Sequence, residues 1–334
     1  MGLPRSWTWV LAAMLAAVFT ATAAVSRGAV TGKRVSGAPT WLSLYGLAIR
    51  PDRSIYVVGS KGLLMVSTDE GKSWTSQVLH ERAGNLLFQD RDLYAIKFSP
   101  DGKSGWVVGE MGIALHSDDG GESWKSQQTG TRSNLFNLSV VDAQHAYACG
   151  ADGVLLSTDD AGAHWSVYKY KDPITFFDVK FLAPDNGWAV GEFESILHST
   201  DGGKTWNLSH GGNTGDYTVG PYFSIAFTDP EHAIVSGLNG EIVVTNDGGK
   251  TWSPEKLPET VATYAAAQAD GQIWLGGEGG RLVGKDATGK WVVHRPTFND
   301  ITDLAFAGKM GFAVGLNGTI LRTDDAGEQW QVVK

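Results

Sequence analysis

The chain has 334 residues and a formal net charge of −9, and it contains 43 Gly, 13 Trp and a single cysteine, Cys149. The acidic balance argues against nucleic acid as a partner, because phosphate binding requires a basic surface. One cysteine excludes an intramolecular disulfide framework and a cysteine-based zinc site, while the many glycines and tryptophans favour short strands joined by tight turns.

The N-terminus has the pattern of a secretory signal peptide. Arg5 precedes an apolar run over residues 7–19, and the small residues 20–24, which end in an expected cleavage site, follow it. An uncleaved anchor is the alternative, but the apolar run is short for crossing a bilayer. We therefore expect residues 1–24 to be a signal peptide and residues 25–40 a linker. The mature protein is expected to be exported, either to the periplasm or into the medium.

Downstream of residue 41 a short motif recurs seven times. One copy reads Ser117-Asp-Asp119-Gly-Gly121-Glu-Ser-Trp124. Counting a degenerate copy that ends at Trp291, the seven motif tryptophans are separated by 50, 41, 41, 46, 39 and 39 residues. A fixed motif with one connection of variable length is typical of a repeat architecture with units of about 40 residues.

Each unit also contains an upstream segment whose second, fourth and sixth residues are mostly large, while its third and fifth are mostly small. This two-residue period predicts a β-strand, and the seven segments are 44–49, 93–98, 135–140, 176–181, 222–227, 263–268 and 301–306. Three further strands are predicted per unit, because turn residues separate the segment from the motif and divide the motif itself.

Large side chains on one face of a sheet and small ones on the other suit sheets stacked in a ring. We therefore predict an all-β fold, a seven-bladed β-propeller of four-stranded antiparallel blades, over residues 41–334. Residues 29–36 are expected beside the last blade, which can take all four of its strands from the C-terminus. A straight solenoid is the alternative, but it requires capping repeats.

The Ser/Thr-x-Asp-x-Gly-x-x-Trp box falls on the turn between the third and fourth strands. Its Asp is expected to accept hydrogen bonds from N–H groups of the turn, its Gly to supply a positive φ, and its Trp to pack over the hairpin. This structural role is predicted for Asp69, Asp119, Asp160, Asp201, Asp247, Asp325, Trp74, Trp124, Trp165, Trp206, Trp252 and Trp330. Calcium binding or catalysis by the aspartates is the alternative, and their distribution of one per blade disfavours it.

The motif is the Asp-box, or BNR, repeat. Phrases such as Gly187-Trp-Ala-Val-Gly191 before the box that ends at Trp206 resemble the photosystem II stability and assembly factor family of plants and cyanobacteria, over residues 41–334. The resemblance implies a non-enzymatic propeller that binds a precursor membrane protein, in part through an arginine-rich patch on one face. Sialidases also carry Asp boxes, so a glycan-active hydrolase is the runner-up and a purely structural envelope module is the third possibility. An arginine triad converging in the channel would favour the hydrolase.

Four charged residues occupy inner-strand positions that are small elsewhere: Lys97, Asp178, Lys180 and Asp303. They are expected near the central channel. Two carboxylates there could be the acid and the nucleophile of a glycosidase. A satisfied channel salt bridge is the simpler interpretation, since Lys180 is close to Asp178. We predict no catalytic residue, no metal site and no cofactor.

The partner site is predicted on the face away from the boxes, centred on blades one to five, because the connections between blades on this face vary in length. In the fourth unit the second glycine of a recurrent Gly-x-x-Gly turn is replaced by Glu194. If this turn keeps its shape, Glu194 has a positive φ and Phe193 is exposed between two carboxylates; a changed turn type is the alternative that relieves the strain. The predicted site residues are Arg82, Arg132, Lys169, Lys171, Glu192, Phe193 and Glu194. We expect a monomer whose partner is a membrane or envelope protein, with no nucleic acid partner and no transmembrane segment in the mature chain.

Overall fold

A computed structural model describes residues 29–30, 35–36, 42–79, 81–83, 86–88, 91–216, 218–286 and 288–333. The predicted signal peptide, residues 1–24, lies outside these residues, and so does most of the predicted linker. Within the described part of the chain, no helix combines the length and the apolar character that crossing a bilayer requires.

The fold is the predicted seven-bladed β-propeller, in which each blade is an antiparallel sheet whose four strands follow one another from the centre outwards. From innermost to outermost, the strands are Leu44–Ile49, Ile55–Gly59, Leu63–Ser67 and Thr75–Val78 in blade one; Leu93–Phe98, Gly105–Gly109, Ala114–Ser117 and Trp124–Gln127 in blade two; Leu135–Val140, Ala146–Gly150, Val154–Thr158 and Ser166–Lys169 in blade three; Phe176–Ala183, Asn186–Gly191, Ile196–Ser199 and Asn207–His210 in blade four; Tyr222–Phe227, Ala233–Gly237, Glu241–Thr245 and Ser253–Lys256 in blade five; Thr263–Ala269, Gln272–Gly277, Leu282–Lys285 and Trp291–His294 in blade six; and Ile301–Ala307, Met310–Gly315, Ile320–Thr323 and Gln331–Val332 in blade seven.

Short elements complete the chain. Two-residue strands lie at Ala29–Val30 and Val35–Ser36, and a small hairpin of Glu81–Ala83 and Leu86–Phe88 lies in the connection between blades one and two. Single 3-10 turns join the second and third strands of four blades, at Ser60–Gly62, Glu110–Gly112, Glu278–Gly280 and Leu316–Gly318.

At several junctions between blades, an aromatic ring of one blade packs against the second box glycine of the next. A Cβ atom on Gly121 of blade two would lie 2.7 Å from the ring of Tyr56 in blade one. Where the ring of blades closes, a Cβ on Gly71 of blade one would lie 2.7 Å from the ring of Phe312 in blade seven. Since no real Cβ atom approaches so closely, only glycine fits at these positions. At these two junctions a large side chain of one blade therefore packs against a glycine of the next.

Blade seven takes all four of its strands from the C-terminal part of the chain, as expected. The N-terminal strands do not lie beside it, and that prediction is wrong. Ala29–Val30 pairs antiparallel with the outermost strand of blade two, and Val35–Ser36 pairs with the outermost strand of blade one. These segments bond to sheet edges whose N–H and C=O groups otherwise lack backbone partners, whereas the edge of blade seven gains no such strand among the described residues.

The Asp-box turns have the hydrogen bonds that the sequence predicts. In blade four, Asp201 accepts bonds from the N–H and the hydroxyl of Thr205, at 2.9 and 2.6 Å, and from the hydroxyl of Ser199 at 2.9 Å. Gly203 donates its N–H to Ser199 Oγ at 2.9 Å and accepts a bond from the Trp206 indole at 3.2 Å. The N–H bond to the aspartate recurs at Asp69, Asp119, Asp160, Asp247 and Asp325.

These bonds stabilise the charged form of the box aspartates. Hydrogen bonds from the residue four positions downstream lower the pKa of Asp69, Asp160 and Asp247 to about 2. The box tryptophans are buried or half-buried against their own hairpins and the neighbouring blade, and those below a tenth exposed are Trp74, Trp124 and Trp206.

Candidate functional site

The seven inner strands surround a central cavity of about 490 Å³. Side chains from all seven blades line it, and it reaches the face opposite the Asp boxes, where Asp300 and Leu316 contribute to its wall. None of the residues that line the cavity is an arginine. The convergent arginine triad that would favour a glycan-active enzyme is therefore not found in the described channel.

The channel contains a salt bridge, but between different partners from those suggested by the sequence. Lys97 Nζ lies 3.1 Å from Asp303 Oδ2 and donates a hydrogen bond to the Leu47 carbonyl at 3.0 Å. The same Asp303 oxygen accepts the Leu47 N–H at 2.8 Å. This cluster joins blades one, two and seven and so helps to close the ring of blades.

Asp178 is buried and is satisfied without an ion pair. Its two oxygens accept four hydrogen bonds of 2.8 to 2.9 Å, from Asn137 Nδ2, Ser224 Oγ and the N–H groups of Val179 and Ile225. Burial nevertheless raises its pKa to about 6, because desolvation of the charge outweighs these bonds. A carboxylate with all its lone pairs engaged is poorly placed to act as a nucleophile.

Lys180 projects into the channel and has no hydrogen-bond or ion-pair partner among the described residues. Water reaches its side chain along the open channel. The surrounding ring of protein lowers its pKa by desolvation, and the charges of Asp178 and Asp303 oppose that shift. The four channel charges therefore balance one another, and two of them form a direct bridge.

An aromatic collar surrounds the mouth of the channel on the face opposite the boxes. It is formed by the second residue of the inner strands of blades one to six, namely Tyr45, Tyr94, Phe136, Phe177, Phe223 and Tyr264. Successive ring centroids lie 5.5, 5.4, 6.0, 5.1 and 5.3 Å apart. In blade seven the same position is Thr302, so the collar has a gap there. Sequence reasoning identified these residues as large strand residues and missed their arrangement in a ring.

The predicted tip of blade four has the strained backbone that its sequence suggests. Phe193 has a φ of 58° and Glu194 a φ of 54°, so the turn keeps its shape and the alternative of a changed turn type is not observed. Its backbone is held by bonds from Glu194 N to Gly220 O at 3.2 Å and from Gly212 N to Phe193 O at 2.8 Å. Two successive non-glycine residues in the left-handed region store strain of about 1 kcal/mol or more each.

The side chains of this tip are less available than predicted. The expectation of an exposed Phe193 is wrong, because its ring is half-buried against the cluster that contains Tyr170 and Ile174. Glu192 accepts the Thr175 N–H at 2.7 Å and so fastens the start of the inner strand. Burial raises the pKa of Glu194, and its charged neighbours, Glu241 and Asp216, raise it further.

Among the described side chains, Arg132, Lys169 and Lys171 form no ion pair with the carboxylates of this tip. Arg132, Lys169 and Lys171 are exposed, and the one ion pair that they form within the described residues is a 3.8 Å contact from Lys171 to Asp172. Arg82 lies in a described strand, but its side chain is outside the described part of the structure. The charged neighbours of Glu194 are acidic, whereas the sequence suggested basic residues beside this tip.

A second surface on the same face lies between blades six and seven, outside the predicted centre on blades one to five, and the sequence analysis missed it. Phe298, in the connection between blades six and seven, is 80% exposed, the largest exposure of any large apolar residue described. The guanidinium of Arg295 lies 4.5 Å from the centroid of its ring, and Arg295 Nε donates to Gly279 O at 2.9 Å. Arg281 also borders Gly279, and its Nε pairs with Glu259 Oε2 at 2.5 Å. An aromatic residue within a polar connection was the one sequence signal for this surface.

No group of three or more histidine, cysteine, aspartate or glutamate residues arranged to hold a metal occurs among the described residues. Cys149 is buried, and burial raises the pKa of its thiol. The groups described on this face include aromatic rings and fixed charges, which suit recognition of a partner.

Comparison with known proteins places these features in context. A family profile described as photosynthesis system II assembly factor YCF48 matches residues 44–132, 86–173 and 122–210, which together span half of the chain. No curated protein matches the sequence.

Solved structures with the same fold include YCF48 from Cyanidioschyzon merolae, with 23% identity, a TM-score of 0.58, and coverage of 72% of this chain and 84% of that one. A structure of YCF48 bound to D1 peptide has 19% identity and a TM-score of 0.58, and covers 72% of this chain and 80% of that one. A catalytically inactive virginiamycin B lyase from Staphylococcus aureus with quinupristin has 11% identity and a TM-score of 0.71, and covers 87% of this chain and 99% of that one. At these identities the likeness shows the propeller fold alone.

Proposed function

Because the chain belongs to the family of the photosynthesis system II assembly factor YCF48, as the repeat phrases predicted, we propose that it is a non-enzymatic scaffold that binds a client protein on the face opposite the Asp boxes. The observation that carries the proposal is the surface formed by Phe298, Arg295 and Arg281. We name these three residues the blade-six ledge.

The blade-six ledge has the composition of a protein-binding hot spot. Aromatic residues and arginine dominate the binding energy of protein interfaces, and an exposed phenylalanine gains free energy when a partner covers it. Arg295 has no carboxylate partner among the described residues, so its charge is available to an acidic group of the client. The face opposite the boxes also carries the connections that vary between repeats, whereas the box turns are uniform.

We further propose that the client is a protein of the envelope or of a membrane. The signal-peptide pattern of residues 1–24 supports export of the chain. One solved relative is YCF48 bound to D1 peptide, and this complex supports a polypeptide segment as the type of ligand here. The alternative of a glycan-active hydrolase is less well supported, since the described channel lining contains no arginine and Asp178 is fully hydrogen-bonded.

The proposal can be tested with a photo-crosslinking amino acid placed at residue 298 of the full chain in its source cells. The matched control carries the same group at His164, whose side chain is 89% exposed on an Asp-box turn. We expect the probe at 298 to capture one dominant envelope protein that the probe at 164 does not capture.

Purified segments of the captured protein should then bind the parent chain, and Arg295→Glu should weaken that binding by about tenfold or more. Equal capture at the two positions, or unchanged affinity of the Arg295→Glu variant, would show that this face is not the client site.

A further inference from the structure

In blades two, three and seven, the residue at one repeat position links the blade to the one before it. Asp92, Asn134 and Asp300 each precede an inner strand, and a side-chain oxygen of each accepts the N–H of a left-handed residue in the preceding blade. The donors and distances are Lys61 at 2.9 Å, Met111 at 2.9 Å and Gly279 at 2.7 Å. Since the amide of Asn134 makes this link, the negative charge of Asp92 and Asp300 is not needed for it.

Burial disfavours the charged form of the carboxyl group at these two positions. Desolvation raises the pKa of both Asp92 and Asp300, and Glu278 raises that of Asp300 further. No lysine or arginine forms an ion pair with Asp300 or with the Glu278 carboxylate among the described residues. The nearby Arg281 is paired with Glu259, and Arg295 is stacked on Phe298. The fold therefore retains desolvated carboxylates where an amide would make the same structural bond.

Of these carboxylates, Asp300 lies at the gap in the aromatic collar, two residues before Thr302. Thr302 leaves the gap between Tyr264 of blade six and Tyr45 of blade one, and both tyrosines are partly exposed. Of the other collar rings, Phe223 is also partly exposed, while Tyr94, Phe136 and Phe177 are buried. Asp300 lines the cavity at this point, and the charges of Asp300 and Glu278 raise the pKa of Tyr264 after burial itself. Burial, then the charge of Asp92, raises the pKa of Tyr45 to about 12.

We propose that this gap is a binding pocket for a positively charged side chain, the ammonium of lysine or the guanidinium of arginine, carried by an extended segment of a partner protein. A cation beside the tyrosine rings gains cation–π attraction, which is strongest where water is excluded. The same cation neutralises the carboxylate of Asp300, which is desolvated and forms no ion pair with any described residue. An anionic side chain is repelled here, and a neutral apolar one leaves the carboxylates uncompensated. This pocket borders the blade-six ledge, since Gly279 donates to Asp300 and accepts a bond from Arg295, but it takes a group of the opposite charge and goes beyond the scaffold function proposed above.

The first test uses the full chain and two peptides that differ only by the presence of a side-chain ammonium group. One is an acetylated and amidated pentapeptide with a central lysine between glycines, and the other has norleucine in place of the lysine. Binding is followed by saturation-transfer NMR at millimolar peptide. We expect the lysine peptide to bind at least about tenfold more tightly than the norleucine peptide. Absence of binding by the lysine peptide, or equal binding by both, overturns the proposal.

The second test separates the charge from the structural bond. Asp300→Asn preserves the oxygen that accepts the Gly279 N–H, as Asn134 does in blade three, and it removes a desolvated charge. The variant should therefore be at least as stable as the parent to urea, and it should bind the lysine peptide about tenfold more weakly. Tyr264→Leu should weaken binding independently of charge. The control is Asp118→Asn, which removes an exposed carboxylate, and it should bind as the parent does. If Asp300→Asn binds as tightly as the Asp118→Asn control, the pocket does not recognise a cation.

Discussion

The Asp-box turns and the turns on the opposite face use the same backbone device, a left-handed residue in a tight turn, but they differ in what their side chains do. In the box turns the polar groups bond to the turn itself, as Asp201 does with Ser199 and Thr205. On the opposite face, the Phe193–Glu194 turn holds strain without glycine, and Phe298 is left exposed. Residues that recur in every repeat are thus the ones that the fold requires. Residues that depart from the repeat occupy positions that the fold alone does not explain.

The largest expected contrast between the faces comes from removing one aromatic ring on each. Trp206→Ala should lower the free energy of unfolding by about 3–5 kcal/mol, because a buried indole leaves a cavity. Phe298→Ala should change it by less than about 0.5 kcal/mol, since its ring is 80% exposed. Urea unfolding followed by far-ultraviolet circular dichroism measures both. Similar losses for the two variants would mean that the faces do not differ in this way.

The sequence was sufficient to predict the fold because the same pattern of strand and turn residues occurs in seven repeats. The period-two inner strands, the box turns and the C-terminal origin of blade seven could all be predicted from spacing. The Lys97–Asp303 bridge could not, because its partners are 206 residues apart and meet when the ring closes. The burial of Phe193 depends in the same way on Tyr170 of the preceding blade. Contacts between side chains of different blades were therefore the part of the site that the local sequence pattern could not predict.

A second contrast is in how stability depends on pH, which should differ between the Asp-box turns and the channel. The folded-state pKa of Asp69, Asp160 and Asp247 is about 2, below the ordinary 3.8, so these residues stabilise the fold above about pH 4 and lose that effect as the pH falls to 2. The folded-state pKa of Asp178 is raised to about 6, so its ionisation disfavours the fold, and its contribution declines as the pH rises from about 4 to 6.

The matched pair for this test is the parent and Asp178→Asn, with urea midpoints measured at about pH 4 and pH 7. Other carboxylates with raised pKa values, Asp92, Glu110, Glu194 and Asp300, remain in both proteins, so the difference between the two pH profiles isolates Asp178. We expect the parent to lose more stability than the variant over this interval. Parallel profiles would show that burial of Asp178 does not penalise its charge.

The smallest expected effect compares two turns on the face opposite the boxes, one with glutamate and one with glycine at the same position. Glu194→Gly should raise the free energy of unfolding by about 1 kcal/mol, because glycine adopts a φ of 54° without the left-handed penalty, and this gain exceeds the entropy that glycine adds to the unfolded chain. The variant also removes repulsion from Glu241 and Asp216. The converse control is Gly240→Ala at the same turn position of blade five, where the φ is 70° and a Cβ would lie 2.2 Å from the Glu259 carbonyl oxygen, so stability should fall.

Both changes are read from urea midpoints at constant m-value. A loss of stability in Glu194→Gly would mean that the Glu194 side chain makes a compensating contact, and the tip of blade four would then be a structural element. A gain in stability with unchanged client binding would show that the strain is not required for recognition. A gain in stability with weakened client binding would identify the Phe193–Glu194 turn as part of the client site, since a fold keeps avoidable strain where another function depends on it.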